Sequence, residues 1–474
     1  MPIPKKISEI QASLSSLEFT CQELLESYLQ QIEQNNPNLN ALLEVDHEGA
    51  MEYARRVDER LILKQPLKPL EGIFLTIKDT IHVEGFHTTC ASKILKNYKP
   101  PFEAHCVKLL KEAGAYVLAK NNCDEFAMGS SNENSAYGTA KNPCSTDHVP
   151  GGSSGGSASA VRANFCLGSL GSDTGGSIRQ PAAFCGVVGF KPTYGRVSRR
   201  GLVAFASSLD QVGPITNNVE DAHRLFQVIS GFDELDSTCV RMPTIPGSLE
   251  TSLKGTKLGV IQEFFPPELD PRVKKEIDHL LELFEDAGGQ LVSISIPHLK
   301  YSLPAYYILA SAEASSNLSR FDSIRYGSRQ FSDLDLNALY ALERSEGFGD
   351  EVIRRIILGT FVLSSGYYEA FYRKAQRIRS LIKSEFEEAL TKCDALAGPT
   401  TPTPAFAIGS KITDPIEMYH SDLFTVPANI CSSPAISIPC GDTEENLPIG
   451  FQLIGRAMED EKVLSIAMAL EGLL

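Results

Sequence analysis

Two runs, Gly151-Gly-Ser153-Ser154-Gly-Gly-Ser157 and Gly171-Ser-Asp173-Thr174-Gly175-Gly176-Ser177-Ile-Arg-Gln-Pro181, say most about the architecture of this chain. A glycine- and serine-rich run is commonly a flexible linker. The flanks of these two point instead to the ends of ordered elements. The first opens a small-residue helix pattern from Ala158 to Ala163. The second follows an apolar strand pattern, Phe165-Cys-Leu-Gly-Ser-Leu170, and leads to Pro181, which suits an early helical turn. Both loops then fall where an α/β sheet places its ligands.

Working outward, strands and helices alternate. Thr20-Cys-Gln-Glu23 is a capping box opening a helix with Leu24, Leu25, Tyr28, Leu29 and Ile32 on one face. Asn35-Asn36-Pro37 is expected to stop it, within a helical N-terminal segment of about residues 1–70. A β-like run, Ile73 to Ile77, ends at Lys78-Asp79. Val107 to Gly114 reads as helix leading into a strand at Ala115–Leu118. Pro271 to Ala287, capped by Asp270, is a helix leading into a strand at Leu291–Ile296. Asp350 to Leu390 reads as one long helical stretch, Gly398 to Pro404 as a loop, and Val426 to Pro439 as a return to strand. The pattern is that of an α/β layered fold.

The 474 residues are 42% apolar and 22% charged, ordinary globular values. No apolar run reaches the ~18 residues of a membrane span. Met1-Pro-Ile-Pro-Lys-Lys lacks an apolar signal region, so a cytoplasmic protein is expected. Eleven cysteines form no C-x-x-C pair and read as reduced, mostly buried residues. A net charge of −15 makes the chain a poor holder of polyanions by itself.

Most glycine-loop chemistries do not fit these runs. No Gly-Lys-Ser/Thr follows either run, so neither is a phosphate loop. Gly151-Gly-Ser153-Ser-Gly155 satisfies G-x-S-x-G, but the nucleophile elbow needs a strand before it, and Lys141 to Pro150 is loop. Ser380-Leu-Ile-Lys383 matches S-x-x-K without its companion motifs. There remains Ser177 as a nucleophile, on a glycine loop expected to be surface-accessible. The N–H groups of Thr174, Gly175, Gly176 and Ser177 are candidates for an oxyanion hole. A serine needs a base. No histidine has a catalytic setting, and Lys78, ending an apolar strand, is the one lysine whose context suggests burial. The commoner state of a lysine is solvated on the surface.

Lys78, the run around Ser153 and Asp173-Thr-Gly-Gly-Ser177 resemble the amidase signature family, whose catalytic set is serine, cis-serine and lysine. Ser177 lies 24 residues after Ser153 and 99 after Lys78, a spacing that selects the first serine of the Ser153/Ser154 pair. The resemblance implies that Ser177 is the acyl-forming nucleophile, that Ser153, on a cis peptide after Gly152, relays the proton, and that Lys78 receives it. It also implies one α/β domain over residues 1–474, a mixed sheet covered by helices on both faces.

Asp124–Asn134, Glu313–Asp322, Gly347–Glu351 and Ser364–Glu369 resemble one branch of that family, the glutaminase subunits of tRNA-dependent amidotransferases. This implies glutamine as substrate, a B subunit that binds tRNA, ATP and magnesium, and a small C subunit. Misacylated tRNA is then reached only through B. The resemblance assigns this chain itself no cofactor or metal and no membrane contact. The branch further implies Arg355 and Asp422 as the holders of glutamine's carboxylate and ammonium, with Arg354 the alternative to Arg355. Tyr306 (or Tyr307) and Met128 would lie near the substrate. Ile430-Cys-Ser-Ser433 departs from the branch, which has a Leu-Ala-Gly-like stretch there. Two other readings stand beside this one: a stand-alone amidase for small amides, and a non-catalytic scaffold, against which intact Lys78, Ser153 and Ser177 argue.

Overall fold

The computed structural model describes residues 3–243, 247–322, 324–327, 334–412 and 414–474. Its strands are β1 (Leu42–Val45), β2 (Phe74–Lys78), β3 (Tyr116–Asn121), β4 (Gly168–Asp173), β5 (Val188–Lys191), β6 (Gln211–Thr216), β7 (Lys257–Ile261), β8 (Gln290–Ile294), β9 (Ala395–Pro399), β10 (Ala435–Asp442) and β11 (Pro448–Ile454). All join one mixed sheet in the order β1-β3-β2-β4-β6-β5-β10-β11-β9-β7-β8. Every residue of β2, β4, β6, β9 and β11 is buried. Side chains alternate between faces along a strand, so both faces of the sheet's centre are covered. The edge strands β1 and β8 keep partly exposed residues. This is the expected α/β fold.

Several boundaries differ from those the sequence suggests. The capping box forms, with Glu23 N–H on Thr20 Oγ1 at 3.1 Å and Thr20 N–H on Glu23 Oε2 at 2.8 Å. Its helix, Cys21–Leu39, runs through Pro37 and ends on Asn40 at φ +49. Pro37 forfeits one bond, and burial of Leu39 carries the last turn on. Strand β1 interrupts the N-terminal helices. The stretch after Asp350 breaks after Leu363, passes Gly366 (φ +87) and a π-turn at Tyr368–Tyr372, and resumes as Arg373–Ala389. Gly398 and Pro399 are the end of β9, paired with Gln452 and Phe451, not loop. The return to strand expected over Val426–Pro439 begins only at Ala435, with β10; before it Val426–Ile430 is a short helix with Pro427 in its first turn. All eleven cysteines are free thiols, and ten are buried.

Candidate active site

Strands β2 and β4 are parallel neighbours, so they end at one edge of the sheet, β2 on Lys78 and β4 on Asp173. Antiparallel β6 begins there, with Gln211 opposite Asp173. The two glycine loops meet at this edge. Ser154 N–H donates to the Ser177 carbonyl at 3.1 Å, and the Ser153 carbonyl accepts Asp124 N–H at 3.2 Å. The Gly152–Ser153 peptide is cis.

Lys78 is 0% exposed, which corrects the solvated alternative. Its Nζ lies 2.7 Å from Ser153 Oγ, 3.0 Å from Ser172 Oγ and 3.4 Å from the Ser172 carbonyl. Burial brings the ammonium down to about 8, although Cys123, Asp124, Asp173 and Asp210 pull the other way. A neutral amine is thus available at mildly alkaline pH.

The Ser177 loop is not on the surface: Ser177 is only 9% exposed. Gly176 has φ +136, and a Cβ there would sit 2.1 Å from Thr425 Oγ1, so only glycine fits. Its N–H donates to Asp173 Oδ1 at 2.8 Å and is therefore spent, which removes Gly176 from the four expected oxyanion donors. The N–H groups of Thr174, Gly175 and Ser177 donate to nothing among the described residues. Thr174 anchors the loop through its hydroxyl, on Asp210 Oδ1 at 2.7 Å.

Beneath the loop lies Arg179, wholly buried with all five N–H groups placed. Nε and Nη2 reach Asp173 at 3.1 and 3.2 Å, Nη2 also Asn429 Oδ1 at 2.6 Å, and Nη1 the Thr425 carbonyl and Gln452 Oε1 at 3.0 and 2.5 Å. Burial alone would raise Asp173, but Arg179 and Lys191 outweigh it and hold the carboxyl below its usual range.

The expected substrate residues converge on the same place. Arg355, on the helix Asp350–Leu363, faces inward, pairs with Glu351 Oε1 at 2.6 Å and lies 4.5 Å from the Tyr307 ring centre. Arg354 points outward with its side chain about half exposed, so Arg355 is the inward residue of the two. Tyr306 covers Gly175, where a Cβ would come within 2.6 Å of its ring, while Tyr307 stacks on Tyr419 at 3.9 Å. Asp422 accepts Ser130 Oγ at 2.5 Å; burial pushes it up to about 7 against the pull of Ser130 and Arg355. Arg355 Nη1 and Asp422 Oδ1 are buried with no partner among the described residues. Met128 is fully buried two residues before Ser130. Ser432, in the departing stretch, sits at φ +62, the conformation a glycine would take there.

Ser130, Asp173 and Arg179 belong to the site although the sequence alone gives them no role. Each lies within or beside a motif, which is a signal, but their partners are distant in sequence. Among the described residues no group of His, Cys, Asp and Glu is arranged to hold a metal, and no helix is long and apolar enough to cross a membrane.

Residues 23–464 match the Amidase family. The chain is 51% identical over 467 residues to the A subunit of the glutamyl-tRNA(Gln) amidotransferase of Caldanaerobacter subterraneus subsp. tengcongensis, covering 98% of this chain and 95% of that one. Among solved structures it is similar to the A subunit of the glutamyl-tRNA(Gln) amidotransferase of Thermotoga maritima, at 42% identity and a TM-score of 0.81, covering 99% and 96%. It is also similar to the peptide amidase of Stenotrophomonas maltophilia, at 30% identity and a TM-score of 0.84, covering 98% and 96%. Kinship of this extent, with relatives that share the fold, makes the chain a member of the amidase signature family.

Proposed function

We propose that this chain hydrolyses glutamine as the A subunit of a tRNA-dependent amidotransferase, supplying ammonia to convert Glu-tRNA(Gln) into Gln-tRNA(Gln). Asp-tRNA(Asn) is the second acceptor to assay. The observation that carries the reading is the buried, orphaned pair Arg355 Nη1 and Asp422 Oδ1. A guanidinium suits an α-carboxylate and a carboxylate suits an α-ammonium, so the pair fits an amino-acid zwitterion. Tyr306 over Gly175 ties that neighbourhood to the nucleophile loop.

Ser177 Oγ attacks the side-chain amide carbon of glutamine as its proton passes to Ser153, whose own proton passes to neutral Lys78. The oxyanion is met by the free N–H groups among Thr174, Gly175 and Ser177. As the C–N bond breaks, the proton returns through Ser153 to nitrogen, and ammonia leaves a glutamyl ester on Ser177. Water, activated along the same path, releases glutamate.

The partners in this reading are a B subunit, which holds tRNA, ATP and magnesium, and a small C subunit, in the cytoplasm. The relatives are themselves named as subunits, which supports an assembly. The outer face of the Arg355 helix and the turn after it expose Ile357, Leu358, Phe361, Tyr367, Tyr368 and Phe371. So large an apolar strip on an acidic protein suits a protein partner, and we assign it to B. The likeness to a peptide amidase supports a second reading, a stand-alone amidase, but a small neutral amide gives Arg355 and Asp422 nothing to bind.

Arg355→Ala tests the first reading. The KM for glutamine should rise by orders of magnitude, roughly the 2–5 kcal/mol of a truncated buried charge pair. Synthesis of Gln-tRNA(Gln) by the reconstituted complex from ammonium chloride should persist, as it should in Ser177→Ala, which should form no glutamyl ester. An unchanged KM in both Arg355→Ala and Asp422→Ala would remove the pair from the site.

A further inference from the structure

Gln180 lies three residues after the nucleophile, wholly buried, on the helix Arg179–Cys185. Both ends of its amide are used. The oxygen accepts Gly152 N–H at 2.9 Å, and the nitrogen donates to the Ser130 carbonyl at 2.8 Å. Gly152 immediately precedes Ser153, and the Ser130 hydroxyl donates to Asp422. One side chain on the helix that follows the nucleophile therefore holds the relay loop and the substrate loop together. Room is kept for it: Gly151 has φ +82, and a Cβ there would stand 2.4 Å from Gln180 Oε1. A side chain with only a donor or only an acceptor could serve one of these loops but not both.

We propose that Gln180 is a positioning residue and a determinant of specificity. It holds Ser130, and through it Asp422, in place for the α-ammonium of the substrate, while fixing Gly152 so that Ser153 is aligned with Ser177. The proposal rests on the reading of Asp422 as the ammonium's partner. Gln180 is not assigned a contact with the reacting atoms; it acts through the two loops, so binding and chemistry separate when its two bonds are removed singly.

The test uses the full chain at pH 8, where Lys78 is partly neutral and the ammonium of glutamine is intact. Substrates are glutamine and glutaramate, which keeps the carboxylate and the amide but lacks the amine. Gln180→Glu keeps an acceptor for Gly152 and, when ionised, offers no proton to Ser130. It should raise the KM for glutamine about tenfold, the size of one lost buried hydrogen bond, with kcat and the glutaramate reaction within about threefold of the parent. Gln180→Met loses both bonds and should also lower kcat about tenfold for both amides. Asp422→Asn is the control and should erase the preference for glutamine over glutaramate. If it does not, the reading of Asp422 fails. If it does, but Gln180→Glu and Gln180→Met leave the preference unchanged, or weaken both amides equally, the Gln180 proposal is overturned. Should one variant not fold, as judged by thermal melting, the preference ratio of the other decides.

Discussion

Burial of Lys78 makes the reaction sensitive to pH in a definite direction. A base must be neutral to take a proton, and Lys78 loses its own near 8. Asp422 must be ionised to hold an ammonium and gains a proton near 7. The kcat/KM for glutamine should therefore fall as pH drops through 8 and more steeply below 7, a logarithmic slope of about one becoming about two, because each of the two groups takes up a proton that disables the site. Lys78→Arg should lose roughly 10²–10⁴-fold, because arginine stays charged. A pH–rate profile on glutamine checks both, and an arginine variant with most of its activity would make Lys78 a structural cation. In the sequence, Lys78 is legible as the end of an apolar strand, and the serine spacings match a family. That Lys78 is covered by the segments it serves is not legible, because its partners arrive from the Ser153 loop and from Ser172 on β4, 75 and 94 residues away.

Short elements far apart in sequence are clasped by Arg179, which binds the end of β4, the helix Val426–Ile430 with the residue before it, and β11 at once. Arg179→Met should cost about 3–5 kcal/mol, since it strands the buried Asp173 carboxylate without its cation. A lower urea midpoint, with glutaminase activity lost because the Gly176 turn hangs from Asp173, is the expected result. An unchanged midpoint would mean that Asp173 finds another partner. None of this clasp is periodic, and Asn429 and Gln452 lie 250 and 273 residues from Arg179, so no local pattern announces it. The strand expected at Val426–Ile430 fails for the same reason. Its Val and Ile favour a strand locally, but Asn429 is drawn to Asp173 and the chain turns helically there.

For the whole molecule, alternation of helix and strand is legible in the sequence and the order of the strands is not, because order depends on which distant segments pair. The same limit applies to surfaces. Ile357, Leu358 and Phe361 read as ordinary helix residues, and only the fold shows them facing outward. Replacing Ile357 and Phe361 together by Glu should abolish co-purification with the B subunit while leaving the melting temperature of the isolated chain within about 2 °C, as expected of exposed positions. Retained co-purification would move the docking face elsewhere. The position of β10 and β11 between β5 and β9 has a consequence for biosynthesis. Among the described strands, the two that come latest in the sequence are those that join the sheet's two halves. β5 gains its neighbour only when β10 has been made, and Arg179 its fifth acceptor only when Gln452 has, so the anchorage beneath the Ser177 loop is complete only after about 270 further residues have joined the nascent chain.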